Sequence, residues 1–419
     1  MTSRRLGSVL SLFVLVVTAC NRIDVAPRPM PTGPSVLLVT IDTLRGDHVG
    51  PREGQPSATP TLDRLAAGGA VFTNAMATVP LTLPSHTSIL TGLYPPSHAV
   101  RHNGIHKLAP EIETATQRFQ AAGYATGAFV AATVLDSAFG LDRGFDTYDD
   151  RMSRKNGAVD GVPEVPAAEM TDKALAWLSQ ADRPFFAWVH YYDPHFSYAP
   201  PEPYRARFAD DPYRGEIAYV DAELGRLLDG LRAAGRDQQT LVVVTSDHGE
   251  SLMEHDEKTH SYLIYEAATH VPLILAGPGV PKGTRVEEVV SNAAIAPTIL
   301  AAAKLPPLAR TDVDDLLPAA RAEAGTANWA YSETLAGQFD HGWAPIHAIR
   351  SANRRYIRAP QPELYALDRD PGERTNLLPT QEAPLAADAA AANARLDALL
   401  LQSSTSVESA LDAETRAQI

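Results

Sequence analysis

A few groups in this chain could do chemistry together. Asp42 ends one apolar run, 36–41, and Asp247 and His248 end another, 241–246. A third, 185–189, leads into His190, Asp193 and His195. Carboxylate oxygens and neutral imidazoles gathered in this way suit a hard or borderline divalent cation. The other group is a hydroxyl, that of Thr82, in Thr82-Leu83-Pro84-Ser85-His86-Thr87-Ser88-Ile89-Leu90-Thr91-Gly92. Proline is tolerated in the first turn of a helix, so the stretch predicts a loop entering a helix with Thr82 at its mouth. Free N–H groups and the positive dipole end at such a mouth favour an oxyanion. Each group alone has an ordinary explanation: a helix cap, a turn residue, a satisfied polar side chain. Together they point to a metal-assisted hydrolase.

Elements of a definite kind must position these groups. The runs 36–41, 185–189 and 241–246 are short, apolar and rich in β-branched or aromatic residues, and helical stretches over 172–180 and 217–234 separate them. That pattern predicts an α/β fold with a large, mostly parallel sheet covered on both faces. Ligands of open α/β sheets bind beyond the carboxyl ends of the strands, where all three runs carry Asp or His.

The ordered motifs resemble the sulfatase family of the alkaline phosphatase superfamily. The matching stretches are Val39-Thr40-Ile41-Asp42-Thr43-Leu44-Arg45, Thr59-Pro60-Thr61-Leu62-Asp63-Arg64-Leu65-Ala66, the element from Thr82 to Gly92, and Ser246-Asp247-His248-Gly249-Glu250. Tyr265-Glu266, His270-Val271-Pro272-Leu273-Ile274, Ala296-Pro297-Thr298-Ile299-Leu300 and Glu363-Leu364-Tyr365-Ala366-Leu367 follow in order. The resemblance implies an alkaline-phosphatase-like sandwich around a mixed sheet, with a small C-terminal α+β subdomain. It also implies one divalent ion (Ca, Mn, Mg or Zn) on Asp42, Asp247, His248 and the Thr82 oxygen. Asp193, His190, His195 and His260 are available for a second ion. Asn103, His195 and His260 match further active-site positions.

The chain departs from that family in ways that bear on chemistry. Sulfatases carry Cys or Ser where Thr82 stands, and oxidise it to formylglycine. Threonine cannot give that aldehyde, because its β-carbon also bears a methyl group, so no formylglycine is expected. His86 replaces the Arg four residues later, Thr43 replaces the second Asp of the N-terminal pair, and His270 replaces the Arg before Val-Pro. His248 replaces the usual Asn or Gln, which shifts the donor set toward phosphoesterase branches. The resulting mechanism has Thr82 attack phosphorus, its pKa lowered by the metal. His195 or His260 protonates the leaving oxygen. Asn103 and the helix mouth hold the equatorial oxygens, and His86 contacts the substrate or the nucleophile, or else packs as a helix-face histidine against a neighbouring loop.

The N-terminus predicts export. Arg4 and Arg5 precede an apolar run over 6–17, too short for a comfortable membrane span. Val17-Thr18-Ala19-Cys20 then fits a bacterial lipoprotein signal, with residues 1–19 removed and Cys20 lipidated. This is the chain's 1 cysteine, so the mature domain lacks a disulfide and relies on its core. Residues 20–34, with Pro27, Pro29, Pro31 and Pro34, form a semi-rigid tether. A catalytic domain is expected over 35–305, then a C-terminal subdomain over 306–380 entered by a linker, 306–321. An Ala-rich helical tail that frays at its end covers 381–419. Residues 151–166 read as a surface loop.

Loss of Arg4 and Arg5 takes the net charge from −14 to −16. Such acidity argues against nucleic acid as partner and against tight docking on anionic lipid. An anionic ester substrate remains compatible, because a bound cation sets the local field. The leading expectation is a phosphate-ester hydrolase anchored by lipid in the bacterial cell envelope, facing the periplasm or exterior. Alternatives on the same residues are a sulfuric ester hydrolase, a transferase moving phospho-groups onto envelope glycans, and an inactive binding lipoprotein. Nothing in the sequence indicates an oligomeric state.

Overall fold

The computed structural model describes residues 30–52, 54–151, 158–159, 162–163, 165–380 and 382–409. The signal segment, Cys20, most of the tether and most of the 151–166 loop lie outside the described residues.

Eight strands form the main sheet: β1 (Ser35–Ile41), β2 (Ala70–Met76), β3 (Ala125–Phe129), β4 (Thr147–Asp149), β5 (Phe185–Tyr191), β6 (Thr240–Ser246), β7 (His270–Ala276) and β8 (Thr284–Ser291). Their spatial order is β8-β2-β7-β6-β1-β5-β3-β4. Only β7 runs against its neighbours, so the sheet is mixed and mostly parallel, as expected.

The composition of β1 explains its central place. Val36 and Leu38 join one apolar cluster while Leu37 and Val39 join another on the opposite face. A strand buried on both sides has no use for polar alternation, and its residues read as one continuous apolar run. One cluster packs under helix α1 (Thr82–Thr91); the other packs under α2 (Ala167–Leu178) and α3 (Pro212–Ala233). Both of these last helices begin earlier than the sequence patterns suggested. β5 also runs on through His190 and Tyr191, so His190 is a buried strand residue rather than part of a loop.

The C-terminal subdomain is a four-stranded antiparallel sheet of β9 (Trp329–Thr334), β10 (Ile346–Ser351), β11 (Arg354–Arg358) and β12 (Glu363–Ala366). Helix α4 (Ala336–His341) follows β9, and helix α5 (Ala383–Leu400) packs on the sheet through the fully buried Leu396. One expectation needs correction here. Segment 306–321 is not a linker: Leu308, Leu316 and Leu317 are buried in the main apolar core. The expected fraying at the end of the tail, 410–419, lies outside the described residues, while the stretch just after α5 is held in place. Val407–Glu408 pairs antiparallel with His106–Lys107, and the Ser409 N–H donates to Ile105 O at 2.8 Å. Among the described residues, no helix is long and apolar enough to cross a membrane.

Candidate active site

Strand register brings the acidic groups together. Ile41 is level with Tyr191 on one side and Ser246 on the other, so Asp42 and Asp247 leave adjacent parallel strands at the same height. The Asp42 N–H donates to Tyr191 O at 2.9 Å, which holds the turn against β5. The Asp247 carbonyl accepts from Ser85 Oγ of α1 at 2.6 Å and from Asn292 Nδ2 at 3.2 Å. Just beyond, a Cβ on Gly249 would fall 2.1 Å from Ala267 O, so only glycine lets the loop pass this closely.

The donor set fits a divalent cation. Asp42, Asp247 and His248 are fully buried, and their ligating atoms lie within 4.8 Å of one another. Asp42 Oδ1 and Oδ2, Asp247 Oδ2 and His248 Nε2 find no hydrogen-bond partner within the chain. Buried polar atoms usually find partners, and although others in this chain also lack one, these four come from three residues that converge on one point, which indicates a positive partner. His248 Nδ1–H donates to Gly249 O at 3.0 Å, which leaves the lone pair on Nε2, 3.4 Å from Asp247 Oδ2. Burial and the nearby Asp42 carboxylate both push the Asp247 pKa up, so two acids side by side call for added positive charge.

His190 has a different part. Its Nδ1 accepts the Ala131 N–H at 3.2 Å, so in the neutral ring the proton sits on Nε2, 3.4 Å from Asp42 Oδ2. Burial lowers its pKa to about 4, keeping it neutral, and with the proton on Nε2 that nitrogen has no lone pair to offer a metal. Nor does Asp193 join a second metal set. Its Oδ2 accepts the Ala167 N–H at 3.0 Å, which caps α2, and burial raises its pKa to about 6. Thr43, where the resemblance led one to look for a second acid, is buried and hydrogen-bonds the Pro194 carbonyl.

Thr82 is the first residue of α1 and lines a cavity of about 430 Å³ with Asn103, His195 and His260. Gly92, at φ 71°, closes the helix in the left-handed region glycine favours. The helix mouth offers fewer donors than the sequence suggested. Asn103 Oδ1 accepts the Leu83 N–H at 3.0 Å, and Pro84 has no N–H. The Asn103 carbonyl is thereby occupied, so its Nδ2 hydrogens are the pair left for a ligand.

His86 does not line the cavity; it is fully buried on the inner side of α1. Its Nδ1 donates to Thr82 O at 2.8 Å, and Nε2 accepts from Thr40 Oγ1 at 3.0 Å. Trp188 Nε1 in turn donates to Thr40 Oγ1 at 2.9 Å. This donor chain fixes a neutral ring, and burial lowers the His86 pKa to about 3. Contact with substrate is thus replaced by support of the Thr82 backbone.

The other two histidines face each other, with ring centroids 5.1 Å apart. Burial drives the His195 pKa down to about 4, and its Nδ1 donates to Phe196 O at 2.7 Å, leaving the lone pair on Nε2. Burial also works against charge on His260, but Glu250 outweighs it, and Asp42 and Asp247 add to hold the pKa up to about 9. Glu250 Oε1 lies 3.1 Å from His260 Nδ1, while Oε2 accepts the Tyr198 hydroxyl at 3.0 Å. Glu250 stands in the motif after His248, yet the sequence suggested no role for it. Its partner is ten residues away across a loop.

Fold and site define an alkaline-phosphatase-like hydrolase architecture with a buried cation-type donor set. The Sulfatase family model matches residues 34–305, so the chain belongs to the Sulfatase family. It is 24% identical to a sulfatase of Formosa agariphila, with 82% of each chain covered. Against mouse arylsulfatase K the identity is 25%, covering 88% of this chain and 81% of the relative. The structure of the phosphonate monoester hydrolase of Agrobacterium radiobacter superposes with a TM-score of 0.75 at 23% identity, covering 88% and 96% of the two chains. That of BT1596, a 2-O GAG sulfatase, superposes with a TM-score of 0.73 at 21% identity, covering 92% and 96%.

Proposed function

We propose that this protein is a lipid-anchored, extracytoplasmic, metal-dependent hydrolase that cleaves phosphate esters with Thr82 as nucleophile. The observation that carries the reading is the threonine at the head of α1, in a cavity beside an unsatisfied Asp-Asp-His set. A cation held by Asp42, Asp247 and His248 would lower the hydroxyl pKa and draw charge from the phosphoryl oxygens. Thr82 Oγ1 attacks phosphorus as its proton passes to His195 Nε2, and the bond to the leaving oxygen breaks. His260, paired with Glu250, gives that oxygen a proton. Water then attacks the phosphothreonine, losing its proton to His260, and Thr82 leaves with the proton held by His195. Asn103 Nδ2 steadies a phosphoryl oxygen throughout.

A phosphonate monoester hydrolase among the neighbours of like fold supports this chemistry by analogy. Sulfate esters are the second reading, favoured by relatives named sulfatases and by a solved neighbour in complex with D-Glucosamine-2-N, 6-O-disulfate. The test is turnover of matched aryl phosphate monoester, phosphate diester, phosphonate and sulfate substrates by metal-reconstituted protein, with Thr82→Ala as control. Dominant phosphoester turnover that disappears in the variant supports the proposal; dominant sulfate turnover replaces it. Lipidation at Cys20 is tested separately. Cys20→Ser should move the protein from the membrane fraction to the soluble envelope fraction.

A further inference from the structure

The wall of the cavity contributed by the C-terminal subdomain carries a charge that the hydrolytic chemistry does not use. Asp340, in α4, lines the same cavity as Thr82. Its Oδ1 lies 3.2 Å from His102 Nε2, and Oδ2 accepts the Tyr262 hydroxyl at 3.1 Å. Both braces are tied to the site: His102 precedes Asn103, and Tyr262 lines the cavity close to His260. A carboxylate beside a site for anionic esters opposes the acid group of the substrate. Its place is therefore explained by the other half of the substrate, the leaving group. There it accepts hydrogen bonds and repels negative charge.

Aromatic rings continue from this acid toward solvent. The Tyr262 ring lies 5.5 Å from that of His341, which lies 4.8 Å from that of Trp343. Trp343 is 59% exposed, and Phe339, packed 5.5 Å from the His102 ring, is 40% exposed. Flat apolar faces next to an acceptor-only group suit a ring that bears hydroxyls.

We propose that Asp340 determines specificity, admitting esters whose leaving group is a hydroxyl-bearing ring without negative charge and rejecting leaving groups that carry a carboxylate or a second acidic ester. The inference rests on the hydrolase reading above and names the substrate class of that site. Like charges several ångströms apart in a partly desolvated cleft are worth about ten- to a hundred-fold in affinity.

The experiment uses full-length, metal-loaded protein in detergent and two aryl esters of one acid, differing only in a ring hydroxymethyl or carboxylate. Wild type should prefer the hydroxymethyl ester in kcat/KM by about ten-fold or more. The ratio should collapse toward parity in Asp340→Asn, an isosteric change that removes the charge and keeps one acceptor oxygen. Equal use of both esters by wild type, or a ratio unchanged in the variant, overturns the proposal. If no ester is turned over, the hydrolase reading fails instead. Calorimetric binding of 4-hydroxymethylphenol and 4-hydroxybenzoate then decides: tighter binding of the former, with the gap lost in Asp340→Asn, supports the role, and equal binding overturns it.

Discussion

Thr82 is held as much by what lies beneath it as by what faces the cavity. The donor chain from Trp188 through Thr40 to His86 ends on its carbonyl, and Asn103 secures the next N–H. A nucleophile held in this way loses everything when its oxygen is removed. Thr82→Ala should therefore lower kcat by about 10³-fold or more, read in single-turnover assays of the reconstituted enzyme. Ser85→Ala should keep turnover, because that hydroxyl serves the Asp247 carbonyl. The loss of its two buried hydrogen bonds, to the Asp247 carbonyl and from Asn292 Nδ2, should cost about 1–3 kcal/mol in urea unfolding. For the donor set, Asp42→Asn should abolish stoichiometric metal in elemental assays. Added metal should raise the Tm of wild type but not of this variant, since only wild type binds the ion in its folded state.

At the scale of elements, the site exists because three parallel strands end in register and one helix is pinned to the middle of them. Ser85 and Asn292 both meet the Asp247 carbonyl, so α1 and the β6 loop cannot move apart without breaking buried hydrogen bonds. The return of that loop past Ala267 depends on Gly249. Gly249→Ala should displace the loop and weaken metal affinity by about 10- to 100-fold in competition titrations, even though residue 249 is no ligand. Wild-type metal affinity in that variant would mean that the loop has more slack than its contacts show.

The whole molecule is a catalytic sheet closed by a second, smaller sheet, and the two share charges. Arg101, next to His102 and Asn103, pairs with the fully buried Glu333 on β9. Leu396 of α5 packs with Tyr331, Ile349 and Leu364 of the small sheet. Leu396→Ala should cost about 2–5 kcal/mol in denaturant unfolding, the range for a buried leucine. Acid stability follows from histidines buried as neutral rings. Burial holds His98 down to about 3, against about 6.5 when unfolded. The unfolded chain therefore binds the extra proton below pH 6.5. Stability is complete above that pH and falls toward pH 3, by up to about 1.4 kcal/mol per pH unit from this group. His98→Gln should flatten the slope of unfolding free energy against pH over that window.

Sequence by itself determined the mostly parallel sheet, the helix mouth at Thr82 and the acids at Asp42 and Asp247. Those are local matters: a strand buried on both faces must be apolar throughout, and a proline in a first turn marks a helix start. It also brought His195, His260 and Asn103 into view, through motif order more than through spacing. Tertiary structure alone decided which way each imidazole points. His86 and His190 look like ligand or substrate groups in the sequence, but hydrogen-bond partners far along the chain occupy His86 Nε2 and His190 Nδ1. It alone made Asp193 a helix cap, paired Glu250 with His260 and turned 306–321 into core. Asp340 was invisible for the same reason. A residue from one subdomain becomes part of a cavity built by the other only when the two pack, and no periodicity along the chain records that contact.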